Sequence, residues 1–129
     1  MAIHFKVTPK RPGGIAGDRA PRFYPVLTDR ETADLNMICQ LISDRSTLHR
    51  ADVKAVVESL IEVIPNLLSN GYNPKLGDFG TFSVHVSGKG QDQADKVTDK
   101  DITSVKMAFL PSKRMKAILN KLKFKKVGR

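Results

Sequence analysis

Ile3, Phe5 and Val7 alternate with His4 and Lys6, the period of a half-buried strand. The period then breaks. Residues 9–21, PKRPGGIAGDRAP, are crowded with Pro, Gly and charge and read as a loop or linker. RFYPVL, residues 22–27, is strand-like again, with Pro25 confining it to an edge or an extended segment. From Thr28 the spacing lengthens. Thr28 and Glu31 have the separation of a capping box, and Leu35, Ile38, Cys39 and Ile42 recur at helical intervals, predicting a first helix over 29–44. After the turn DRSTLH, a second helix is predicted over Arg50–Asn70. Its apolar face, from Val53 through Leu60, Ile61 and Ile64 to Leu68, is too wide for one neighbour. Pro65 lies within it, and Gly71 is placed to end it.

The next stretch, LGDFGTFSVHVSG (76–88), sets a puzzle. Phe79 and Phe82 stand three apart, so on a regular strand their rings point to opposite faces. A bulge at Gly80 is the expected remedy, since glycine tolerates the backbone and the extra residue brings both rings to one side. Short strands are predicted over 72–76, 79–86 and 105–110. Between the last two, SGKGQDQADKVTDKDITS (87–104) is polar and too long for a tight turn. PSKRMKAILNKLKF (111–124) reads as a third helix capped by Ser112, with Met115, Ile118, Leu119 and Leu122 in one stripe. The order is that of an α+β protein, divided as an extension (1–27), a main domain (28–124) and a basic tail (125–129).

Composition adds two points. The chain has 129 residues, 6% aromatics and no Trp, a small stock for a core and one that a partner subunit can complete. Its net charge of +9 is unevenly spread: residues 105–129 hold nine basic residues and no acidic one, whereas 31–70 are net negative. One-signed blocks point to a polyanion partner. The lone Cys39, on the apolar stripe of the first helix, excludes an internal disulfide and reads as a core thiol in a cytoplasmic protein. No apolar run approaches a membrane span.

Catalytic chemistry finds no footing. His4, His49 and His85 lack metal-ligand spacing, RPGGIAGD opens no helix as a phosphate loop requires, and Asp92, Asp95, Asp99 and Asp101 are not spaced as a calcium loop. No enzyme, cofactor, metal or small-molecule substrate is expected.

LGDFGTFSV and MAFLPSKRMKAIL resemble the hairpin-opening and closing segments of the bacterial histone-like HU and integration host factor family. The likeness spans about residues 33–123 and leaves the first 30 as an extension, as in a longer, divergent HU-like subgroup. It implies an intertwined homodimer: helices at the base, a β-hairpin saddle, and two protruding arms around double-stranded DNA in the nucleoid. Binding in such a dimer is chiefly to phosphates, with little sequence preference. By this resemblance Phe79, Phe82, Phe109, Leu60 and Ile64 belong to the dimer core. Lys113 and Lys116 match the family's Pro-Gly-Lys-x-x-Lys segment as phosphate contacts, and Arg114, Lys75, His85, Lys89, Lys96 and Lys100 are further DNA-binding candidates.

The arm departs from the family pattern. It lacks the Arg-Asn-Pro tip, and three lysines face four aspartates across 87–104. A dimeric scaffold for protein–protein contact, with weak or no DNA binding, is therefore the alternative. RNA binding is a third reading, opposed by the want of an aromatic stacking platform. Lys6, Lys10, Arg11, Arg19 and Arg22 either grip phosphates or keep an edge strand soluble; the residues alone leave both open.

Overall fold

The computed structural model describes residues 1–10 and 20–128; Arg11, Arg19 and Arg129, named above as basic candidates or in the tail, lie outside them. The chain forms two compact units. One comprises residues 1–34 and 118–129, the other residues 35–117.

The first unit is a three-stranded sheet. β1 (Ile3–Lys10) pairs antiparallel with β2 (Arg22–Leu27), with Phe5 opposite Leu27 and Lys10 opposite Arg22. On its other side β1 takes a parallel partner, β5 (Phe124–Lys126), with Ile3 beside Phe124. Bonds from Ile3 N to Lys123 O (2.8 Å) and from Val127 N to Phe5 O (2.9 Å) extend that ladder at both ends. The expected basic tail is thus strand through Lys126.

This sheet also changes the predicted first helix. The helix α1 is Leu35–Asp44, not 29–44. Thr28 N donates to His4 O (3.0 Å), which draws Thr28 into the ladder, and Asp29 has φ 57°, a left-handed backbone no α-helix contains. Thr28 therefore does not cap a helix.

The second unit holds α1 packed on α2 (Arg50–Ser69), which in turn touches the ribbon β3 (Gly80–Gly88) and β4 (Ile102–Pro111). α2 runs on through Pro65 and ends as the sequence predicts. Gly71 (φ 85°) follows Asn70, and bonds from Gly71 N to Leu68 O and from Tyr72 N to Leu67 O close a Schellman motif. Cys39 (1% exposed) and Val53 (4%) are the buried apolar side chains among the described residues. Ile61, Phe79, Val86, Val105 and Met107 are exposed, as are many other large apolar groups.

The bulge expected at Gly80 is absent; the register runs unbroken from Gly80–Pro111 to Ser87–Ser104. β3 instead starts at Gly80, and Phe79 belongs to the turn before it, where Phe79 N donates to Leu76 O and Leu76 N to Gly80 O. Both rings still meet on one side. Phe79 and Phe82 lie 5.0 and 4.9 Å, centroid to centroid, from Phe109. Gly80 is required there by space, since a Cβ would sit 2.5 Å from the Leu110 carbonyl oxygen. The strand expected at 72–76 shrinks to one bridge, Lys75 to Thr81, because the chain turns back at Gly77 (φ 52°).

The third helix, α3, is Lys113–Leu119, shorter than the predicted 111–124. The chain leaves it through bonds from Lys121 N to Ile118 O and from Leu122 N to Leu119 O, then Phe124 enters the sheet.

Candidate nucleic-acid interface

Ser112 organises the base of the ribbon. Its Oγ accepts from Met115 N (3.1 Å), the N-cap bond expected of it, and donates to the Asp78 carbonyl oxygen. Its own N–H donates to Phe79 O (3.1 Å). One residue thereby fixes the start of α3 against the turn 76–80. The hydrophobic reason for that turn, the Phe79–Phe109 contact, lies directly beneath it.

Around this junction is an open hollow of about 420 Å³, rimmed by Lys75, Lys113, Arg114 and Lys116 together with Asp78. Asp78 Oδ2 is 3.7 Å from Arg114 Nη1; both side chains are more than 70% exposed, so the pair is weak and leaves the rim strongly basic. Four of the candidates read from sequence are therefore brought together, from two segments some forty positions apart in the chain.

The remaining candidates are elsewhere. His85 sits midway along β3, its Nε2 3.4 Å from Ser83 Oγ, on the polar face of the ribbon. Directly opposite it is Lys106, a cation the sequence reading did not single out; its place between Val105 and Met107 in an alternating strand was the available signal. Lys89, Lys96 and Lys100 lie at the far end, beyond nine rungs of ladder, about 27 Å from the base at 3.4 Å per residue.

That far end has structure of its own. Two single 3₁₀ turns, Ala94–Lys96 and Asp99–Asp101, shape it. Asp101 is its anchor. Its carboxylate accepts from Thr98 N (2.9 Å) and Gln91 Nε2 (2.9 Å), and its carbonyl from Lys89 N (2.8 Å). The Thr98 backbone bond first, then the Gln91 amide, hold its carboxyl below the usual aspartate range. Lys96 and Lys100 are flanked by Asp95, Asp99 and Asp101.

The five residues assigned to a dimer core divide in two. Phe79, Phe82 and Phe109 form the aromatic cluster, while Leu60 and Ile64 are half-buried on α2. Among the described residues no group of three or more His, Cys, Asp or Glu is placed to hold a metal ion, and no helix is long and apolar enough to cross a membrane.

The family model HU-HIG, described as an HU domain fused to wHTH, Ig, or Glycine-rich motif, matches residues 1–126. The chain belongs to this family. The match takes in β1 and β2 as well as the helices and ribbon, so the N-terminal strands are part of the HU-HIG pattern. Curated relatives agree. The HU-HIG chain is 37% identical to integration host factor subunit alpha of Methylorubrum populi over 75 residues, 57% of this chain and 69% of that one. It is 30% identical to the Haemophilus influenzae subunit over 88 residues, 67% of this chain and 92% of the relative. Among solved structures, a candidate DNA-binding protein from Bacteroides vulgatus superposes on 98% of the HU-HIG chain with a TM-score of 0.65 at 13% identity, a likeness of fold. The chain spans about half the length of that neighbour (49%).

Proposed function

We propose that the protein is an architectural DNA-binding protein of the bacterial nucleoid, a homodimer that holds duplex DNA by its phosphates with little sequence preference. The observation that carries this reading is the rim formed by Lys75, Lys113, Arg114 and Lys116, fixed by Ser112 at the base of the ribbon in an HU/integration host factor relative. Lysine and arginine on an open rim suit phosphate oxygens, which position a protein without reading bases. The arm contributes less, because its lysines are matched by aspartates.

Homodimer formation is supported by the ribbon's apolar face. Phe82, Val84, Val86, Val105, Met107 and Phe109 share it by register, and all but the half-buried Phe82 are exposed in the single chain.

The deciding experiment is fluorescence anisotropy of a short random-sequence duplex across a salt series. Tight binding with a steep slope is expected, losing about 0.9 of slope for each phosphate contact removed. Lys113→Glu with Lys116→Glu is expected to weaken binding far more than Lys96→Ala. Equal effects would relocate the surface. Absence of binding at low salt would favour the scaffold reading, which the acidic arm supports.

A further inference from the structure

Strand alternation gives the three-stranded sheet two unlike faces. By register Ile3, Phe5, Val7, Phe23, Pro25, Leu27 and Phe124 share one of them, with Lys126 its one cation among the described residues. There Phe5, Pro25, Leu27 and Phe124 line a common apolar hollow. The other face carries Lys6 and Lys10 from β1, Arg22 and Tyr24 from β2, and Lys125 from β5, all exposed.

Lys10 and Arg22 are direct cross-strand partners. Like charges so placed cost a sheet stability. Nothing among the described residues offsets the cost: no ion pair reaches Lys6, Lys10, Arg22 or Lys125. Asp29, which lines a hollow with Lys6, is already engaged by His4 Nδ1 at 3.1 Å. A face that gathers uncompensated cations from three strands gains when a polyanion lies against it. Lys6 and Lys10 are four residues apart on one strand, a row of about 13 Å. A duplex carries a charge per ~1.7 Å of axis, so such a row meets several phosphates. Tyr24 is the one aromatic ring among these positions, too few to stack unpaired bases.

We propose that the basic face of the N-terminal sheet is a second surface for the phosphate backbone of duplex DNA, using none of the residues around α3. It does not require that the α3 rim bind DNA.

The test uses the full chain. Lys10→Glu replaces the repulsive pair with an attractive one, so the melting temperature is expected to rise by roughly 2–5 °C. Duplex affinity is expected to fall about three- to tenfold in the same variant. A binding loss in a stabilised chain is not a folding failure. The neutral triple variant Lys6→Gln, Lys10→Gln, Lys125→Gln should lower the salt slope by about 2–3, both alone and combined with Lys113→Glu and Lys116→Glu. A triple variant with the parental slope in both backgrounds overturns the proposal. So does a loss confined to single-stranded RNA, or a Lys10→Glu chain that is more stable yet binds as before. If the α3 charge reversals leave the slope unchanged while the triple variant lowers it, the α3 reading fails and this one stands.

Discussion

Gly80 shows how one missing side chain can set a whole junction. A methyl group there would stand 2.5 Å from the Leu110 carbonyl oxygen and 2.6 Å from the Phe109 ring. Neither can yield without opening the ribbon's first rung or the aromatic cluster. Gly80→Ala is expected to cost about 2–3 kcal/mol, the upper part of the usual range for overpacking, measured by denaturant unfolding. A loss below about 0.5 kcal/mol would mean that the rings relax freely. The sequence exposed this residue through its neighbours, since two phenylalanines three apart demand an irregularity. It did not disclose the kind. A bulge and a late strand start both bring the rings together, and only the ladder distinguishes them.

At the scale of elements, local period was a good guide and long-range pairing was not. α2 and its Schellman ending follow from the apolar spacing and Gly71, because helices are held by near neighbours in the chain. The start of α1 was missed because the hydrogen bond from Thr28 to His4 competes with the cap. β5 was missed because three residues acquire a strand's identity from the partner, Ile3, at the other end of the sequence. The candidate site divides similarly. Lys113, Arg114 and Lys116 were legible as one motif, whereas Lys106 and the face shared by Lys10, Arg22 and Lys125 needed the register.

The arm's end makes a pH prediction at this same scale. Asp101 accepts its bonds as a carboxylate, and its folded pKa lies below that of an unfolded aspartate, about 3.9. The order it provides is thus complete above that value and is lost as pH falls through the lower, folded pKa. Amide exchange at Lys89 and Thr98 is expected to quicken below about pH 4 relative to the rungs of β3 and β4. Asp101→Asn is expected to show the fast exchange at neutral pH. Unchanged protection in that variant would remove Asp101 from its anchoring role.

For the whole molecule the governing fact is the quantity of apolar surface left open. Val105 (64% exposed) and Met107 (62%) stand on a ribbon too thin to cover its own face. A second copy is the proposed cover, and stability should then depend on protein concentration. Sedimentation equilibrium is expected to give a dimer at micromolar concentration. Val105→Lys with Met107→Lys, which places cations on that face, is expected to weaken association at least about tenfold, near 1.4 kcal/mol. A wild-type chain that stays monomeric would remove the dimer from the proposal.

The parallel pairing of Ile3 with Phe124 also bears on how the protein comes into being. On a ribosome β1 and β2 emerge before the helices and the ribbon, yet their third strand emerges only after them. The helices and ribbon of residues 35–117 can assemble while the hairpin still waits. Closure of that sheet therefore waits for the hundred or so residues between Leu27 and Phe124 to be made, and until then its half-finished edge is open to a chaperone.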